Sequence, residues 1–209
     1  MGKDGPTILD EARMLLLRYG FKSMTMDDVA SSLCVSKKTL YQHVANKGDL
    51  VKKVMEMECE RQRKKVESVR EEASNAIQEC FEFGRFIIGV LQDLDPSIHY
   101  DLEKYYPEAW KVFIDFKDEG IVGYVRDNLE RGIQEGLYRN DLESEVIARI
   151  YTYRIDAVFH GELFPPERFS FAQVYKEMFF YHILGIVSEK GYRSLYQEWE
   201  EGRMNSGTL

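Results

Sequence analysis

Residues 24–50 read MTMDDVASSLCVSKKTLYQHVANKGDL, and the spacing of helix caps within them decides how the rest of the chain is read. Thr25 stands just ahead of an apolar-periodic run, with Asp28 three residues on. The Thr25 hydroxyl can accept the Asp28 amide proton while the Asp28 carboxylate reaches back to the Thr25 amide. Asp is shorter than the usual Glu, so this capping box is a variant. Met24 and Val29 sit where a hydrophobic staple fixes the angle at which the chain joins the helix. Ser36 repeats the device, with Val35 and Leu40 at the staple positions, and Asn46 with Asp49 repeats it again. Three helix starts within about 25 residues allow only short helices and tight joints. The stretch therefore predicts two short helices joined by a tight turn, with a third beginning behind them.

On a helical wheel from Ser36 to Val44, Leu40 and Val44 share one face, which is the buried one. Lys38 and Gln42 point the opposite way, and Thr39, Tyr41 and His43 flank them. Lys donates to guanine acceptors and Gln pairs bidentately with adenine in the major groove. Tyr41 and Lys47 are placed to hold phosphates and fix the register. A merely solvated polar face is the alternative. The repeated caps and the tight turn argue against it and for a helix-turn-helix DNA reader.

This stretch resembles the DNA-binding domain of the TetR family of bacterial transcriptional regulators. The residues that carry the resemblance are the Thr25-led helix, Val35-Ser36, Thr39-Leu40-Tyr41 and the Asn46-Lys47 helix start. Upstream, the run from Ile8 to Phe21 resembles that family's first helix, ending in Tyr-Gly-Phe. The match covers roughly a quarter of the chain and is specific as a package. One residue departs: Cys34 occupies the turn position where the family usually has Gly. A positive φ there costs Cys a strain that Gly escapes. The resemblance implies an all-α fold, with an N-terminal three-helix DNA-binding domain (1–47) and a C-terminal helical effector-binding and dimerisation domain (48–209). It also implies a homodimer on a palindromic double-stranded operator, acting as a repressor under an unknown small-molecule effector. The DNA-binding set it assigns is Thr25, Ser36, Lys37, Lys38, Thr39, Tyr41, Gln42, His43 and Lys47.

Charge is distributed to suit. The chain carries a net −8, but residues 1–47 hold seven Lys or Arg against five Asp or Glu. The head is thus weakly basic and the acidic excess lies outside it. Two such heads sum their phosphate contacts, while the acidic body discourages non-specific wrapping. Apolar residues make up 44%, which excludes a disordered chain. No run is long enough to cross a bilayer; the longest, 178–187, includes His182. The N-terminus MGKDGPT lacks a signal-peptide core, so a cytoplasmic location is expected. Cys34, Cys59 and Cys80 match no zinc or redox spacing and read as reduced thiols.

Helical periodicity continues outward. Thr7–Tyr19 presents Ile8, Leu9, Ala12, Leu15, Leu16 and Tyr19 on one face, and Gly20 ends it. Leu16, Phe21, Val29, Leu33, Leu40 and Val44 are the expected core of the three-helix head. A long helix from Lys47 to about Arg70 follows; its basic run Arg61, Arg63, Lys64 and Lys65 reads as a solvated connector. Later helical blocks span 73–94, 97–105, 108–135, 142–160, 170–190 and 193–201, separated by Pro and Gly breaks.

Of 27 aromatic residues, only Tyr19, Phe21 and Tyr41 precede residue 48. Phe83, Phe86, Trp110, Phe113, Tyr124, Tyr151 and Phe159 lie on different blocks and could line an effector pocket; an aromatic-filled core is the alternative. By position, the last two long blocks resemble the family's dimerisation pair, with Tyr153, Val174, Met178, His182 and Ile186 as interface candidates. No nucleophile elbow, P-loop, dinucleotide fingerprint or HExxH motif occurs, and the four histidines are scattered. Asp156 and His160, four apart, read as a local hydrogen bond. Neither a cofactor nor a metal is implied. Two rivals stay open: a helical small-molecule-binding protein that no longer reads DNA, and a helical enzyme with an unrecognised site.

Overall fold

A computed structural model of the chain describes residues 5–93, 95, 97–156, 163–165 and 167–200. Among them the regular structure is helical, with one isolated antiparallel bridge between Tyr138 and Val187. The helices are α1 (Gly5–Tyr19), α2 (Met26–Ser32), α3 (Lys37–Leu40), α4 (Lys47–Glu72), α5 (Ala76–Asp93), α6 (Ile98–Tyr105), α7 (Pro107–Asp115), α8 (Val122–Gln134), α9 (Ser144–Asp156), α10 (Phe171–Ile186) and α11 (Glu189–Glu200). The all-α expectation holds. The chain divides into two compact units: Met1–Lys64 with Asp93–Phe116, and Lys65–Gln92 with Lys117–Leu209.

The first unit is built around the reader. Leu16, Phe21, Val29, Leu33, Leu40 and Val44, the core expected from periodicity, are each at most 2% exposed. Leu50, Val51 and Val54 of α4 join them at 0%. Gly20 ends α1 at φ 85, a left-handed conformation that Gly adopts freely. One feature escaped the sequence reading. Arg13 of α1 and Glu58 of α4 form an ion pair of 2.8 Å inside the unit. The α6–α7 corner also belongs to this unit. The Asp95 amide donates to the Leu17 carbonyl at 3.1 Å, and Lys52 pairs with Glu108 at 3.2 Å. The basic run of α4 is exposed as expected, with Arg63 and Lys64 paired to Glu60.

In the second unit a buried polar joint ties the start of α5 to α8. Arg131 reaches Glu79 at 2.8 Å and the Ala73 carbonyl at 3.1 Å. Tyr138 donates its hydroxyl to the Ala76 carbonyl at 2.9 Å, and Asn128 donates to the same oxygen at 3.0 Å. The Glu135 carboxylate accepts the Ala76 amide, a cap supplied from 59 residues away. Phe81 stacks edge-on against Phe179 at 5.0 Å.

Two segments differ from the expected blocks. The 108–135 block is not one α-helix: a π-helical turn, Phe116–Ile121, separates α7 from α8. That turn buries Lys117, whose ammonium lies 4.2 Å from the Tyr153 ring centre. The break expected at Gly191 comes earlier. α10 stops at Ile186, where Val187 turns extended and bridges to Tyr138, and Gly191 lies inside α11. Gly191 serves close approach instead: a Cβ there would sit 1.9 Å from the Leu137 carbonyl oxygen.

Candidate nucleic-acid interface

Each helix of the reader starts where its cap residue stands. The Asp28 amide donates to Thr25 Oγ1 at 3.1 Å and the Thr25 amide to Asp28 Oδ2 at 2.9 Å, so the short box is closed from both sides. The Thr25 hydroxyl and amide hold the Asp28 carboxyl below its ordinary pKa. Ser36 Oγ accepts the Thr39 amide at 2.9 Å and lies 2.7 Å from Thr39 Oγ1. Asn46 Oδ1 accepts the Asp49 amide at 2.9 Å, and Asp49 in turn accepts the Ala45 amide at 2.8 Å. Between α2 and α3, Cys34 adopts φ 55, the left-handed conformation that a tight turn requires. The strain expected for Cys in place of Gly is therefore present, and the turn keeps the geometry that Gly would allow.

Regular helix ends sooner than the wheel implied. α3 covers only Lys37–Leu40, and the chain continues as a tighter turn, with Gln42 donating to the Thr39 carbonyl and His43 to the Leu40 carbonyl. Such i→i+3 bonds tighten a last turn. The predicted sidedness survives. Leu40 and Val44 are buried, while Lys37, Lys38, Tyr41 and Gln42 are exposed.

The members of the predicted set have different surroundings. Lys37 pairs with Asp27 at 2.9 Å, which raises its ammonium pKa. Lys38 and Gln42 face solvent beside Tyr41. His43 is half-buried against the start of α1, where a Cβ on Gly5 would meet its Nδ1 at 2.6 Å. Its carbonyl accepts Lys53 Nζ at 2.8 Å. Lys47 is half-buried; its Nζ donates to the Lys22 carbonyl at 3.2 Å, and burial pulls its pKa down. Cys34 is exposed on the turn between α2 and α3.

The pocket candidates fall into separate clusters. In the first unit Trp110 and Phe113 stand 5.5 Å apart, with His99 4.8 Å from Trp110. In the second, Phe83 meets Tyr124 at 4.8 Å, and Phe86 is half-buried. Tyr151 shares a 2.7 Å hydrogen bond with the Tyr175 hydroxyl, and its ring centre lies 4.3 Å from that of His182 with the planes tilted. Phe159, like the Asp156–His160 pair, lies outside the residues whose side chains are described.

The dimer candidates differ in how far the single chain covers them. Val174, His182 and Ile186 are at most 8% exposed within the single chain, where they fill the second unit's own core. Met178 is half-buried, and only Tyr153, at 42%, faces out. The large apolar side chains that α9 and α10 leave exposed are Val146, Ile150, Tyr153, Tyr181 and Leu184. Periodicity could not find them, because α10 is apolar nearly all round and its pattern does not say which side the chain itself covers.

Among the described residues no cluster of three metal-ligating side chains occurs, and no helix is long and apolar enough to span a membrane.

Residues 8–54 match the family model described as bacterial regulatory proteins, tetR family. A curated relative from Bacillus subtilis (strain 168), the uncharacterized HTH-type transcriptional regulator YvaF, is 25% identical over 185 residues, covering 88% of this chain and 95% of its own. A TetR-family transcriptional regulator from Agrobacterium tumefaciens superposes with TM-score 0.70 at 17% identity, covering 88% of this chain and 97% of that one. The transcriptional regulator FadR from Bacillus subtilis, solved in complex with stearoyl-CoA, superposes with TM-score 0.64 at 14% identity, covering 88% and 100%. At these identities the solved structures establish a shared fold.

Proposed function

We propose that this chain is a DNA-binding transcriptional regulator of the TetR family, as the match over residues 8–54 and the full-length relative support, and that it acts as a ligand-responsive repressor, binding a palindromic operator as a homodimer. Residues 1–47 form the reading domain and 48–209 the effector-binding and dimerisation domain. The observation that carries the reading is the exposed Lys38, Tyr41 and Gln42 edge, set by three capped helix starts on a fully buried core. Gln42 and Lys38 read base edges. Thr25, Ser36, Lys37, Thr39, Tyr41, His43 and Lys47 hold the backbone and fix the register.

The exposed faces of α9 and α10, with Val146, Ile150, Tyr153, Tyr181 and Leu184, join two copies about a two-fold axis. A two-fold pair presents two readers to two half-sites, which makes the operator an inverted repeat. The effector class is apolar or aromatic, in keeping with Phe83, Phe86, Tyr124 and Tyr151 of the second unit and with the acyl-CoA bound by a relative of the same fold.

Sedimentation velocity tests the assembly. The chain alone sediments as a dimer, and two chains bind one operator duplex. Ile150→Lys with Leu184→Glu yields a folded monomer that has lost most of its duplex affinity. A monomeric wild type, or one chain per duplex, contradicts the reading.

A further inference from the structure

The loop between α1 and α2 is held at Lys22 and at its neighbour Phe21. The Lys22 amide donates to Asp101 Oδ2 of α6 at 3.0 Å, and the Lys22 carbonyl accepts Lys47 Nζ of α4 at 3.2 Å. Tyr106, at the α6–α7 joint, closes the arrangement. Its hydroxyl donates to the neighbouring Phe21 carbonyl at 3.3 Å, and its ring centre lies 5.8 Å from Lys47 Nζ. Asp101 is 5% exposed, and its carboxylate also lies 3.4 Å from Ser97 Oγ. The Lys47 ammonium, on the reader's third capped helix start, is thus drawn inward by a carbonyl, an aromatic face and a buried carboxylate's field. An ammonium has three donors on a flexible stem, so it can divide them between this inward set and an incoming phosphate.

We propose that Asp101 and Tyr106 are positioning residues for the DNA contact of Lys47: they set, through the Lys22 and Phe21 backbone, how far its ammonium is held from the phosphate backbone. This rests on the reading of Lys47 as a phosphate contact. The two attractions compete. Asp101 holds the loop that carries the Lys22 carbonyl, and its charge adds to the pull; the opposing effects on the Lys47 pKa, burial lowering it and Asp101 and Asp28 raising it, agree with that geometry. A movement of the α6–α7 corner therefore changes the affinity of the reader without touching a base-reading residue.

The experiment is a double-mutant cycle on the full chain, titrated against a defined duplex of arbitrary sequence, since phosphate contacts do not depend on sequence. Asp101→Asn removes the charge and keeps an amide oxygen to accept the Lys22 N–H. It raises duplex affinity about threefold at low salt, the scale of one partly exposed charge pair. The gain shrinks as salt is added and vanishes in the Lys47→Gln background. Tyr106→Leu, which removes the ring and leaves Asp101 in place, raises affinity by the same route and loses its effect in the same background. It serves if Asp101→Asn melts early. If Lys47→Gln alone leaves affinity unchanged, the phosphate reading fails and takes the inference with it. If Lys47→Gln weakens binding but both corner variants act equally in either background, the reading stands and the inference is overturned.

Discussion

Arg13 and Glu58, 45 residues apart in the chain, meet at 2.8 Å with side chains only 8% and 12% exposed. The pair joins the first helix to the long α4. Arg13 Nε also reaches Asp10 at 3.1 Å, and Gln62 donates to the other Glu58 oxygen at 3.0 Å. Both charges are therefore hydrogen-bonded, as burial demands.

Removing one partner leaves the other uncompensated. Glu58→Ala should destabilise the chain by about 3 kcal/mol, the low end for a broken buried pair because Asp10 still faces Arg13. Replacing both, as Arg13→Met with Glu58→Leu, should recover most of the loss. Chemical denaturation monitored by circular dichroism measures both. An unchanged midpoint for Glu58→Ala would show that the pair contributes nothing.

Cys34→Gly should stabilise the chain. Cys34 sits at φ 55, where an L side chain costs about 1–2 kcal/mol, and Gly returns part of that gain through its larger unfolded-state entropy. The net expectation is roughly 0.5 kcal/mol, seen as a higher melting temperature with duplex affinity retained. A lower melting temperature contradicts the strain argument.

Gly191→Ala should cost about 2 kcal/mol or more, because its Cβ meets the Leu137 carbonyl oxygen at 1.9 Å and backbone must move. Gly185→Ala, which has nothing within 4 Å of a new Cβ and lies inside α10, is the control and should be neutral or stabilising. Equal melting temperatures for the two variants would deny the close approach.

Much of this was legible in the sequence. The Thr25, Ser36 and Asn46 caps act locally, within four residues, so their spacing alone placed three helix starts, and the periodicity around them named the buried head. What escaped depends on distant partners. Arg13–Glu58 pairs residues whose separation carries no pattern. The α10 terminus is set by a bridge from Val187 to Tyr138, not by Gly191. The apolar pattern of α10 likewise does not say that Val174, His182 and Ile186 are covered by the chain's own second unit.

His182 gives the second unit a pH dependence. Burial, with the charge of Arg154 adding to it, lowers its pKa from 6.5 to about 3. The folded chain keeps this imidazole neutral while the unfolded chain takes up a proton below about 6.5. Between those values the unfolded state binds more protons, so the contribution is complete above pH 6.5 and is lost as pH falls toward 3. From pH 6.5 to 5 the loss is about 2 kcal/mol. Denaturation midpoints of wild type and His182→Asn should converge as pH is lowered through that window; parallel curves contradict the shift.

Gln42→Ala and Lys47→Ala should separate two kinds of contact. Gln42→Ala should relax discrimination at one base by about 1–3 kcal/mol, while Lys47→Ala should weaken all duplexes alike and reduce the salt slope by about 1. Anisotropy titrations across salt read both. Equal losses of specific and non-specific affinity in the two variants would erase the distinction.

The most direct test is selection from random duplexes by the purified chain at a fixed salt concentration. Recovery of an inverted repeat, with half-sites centred about one helical turn or a multiple of it apart, is the predicted result. Binding with no recovered motif, at the affinity of arbitrary duplexes, contradicts it and leaves a helical ligand-binding protein whose head does not read sequence.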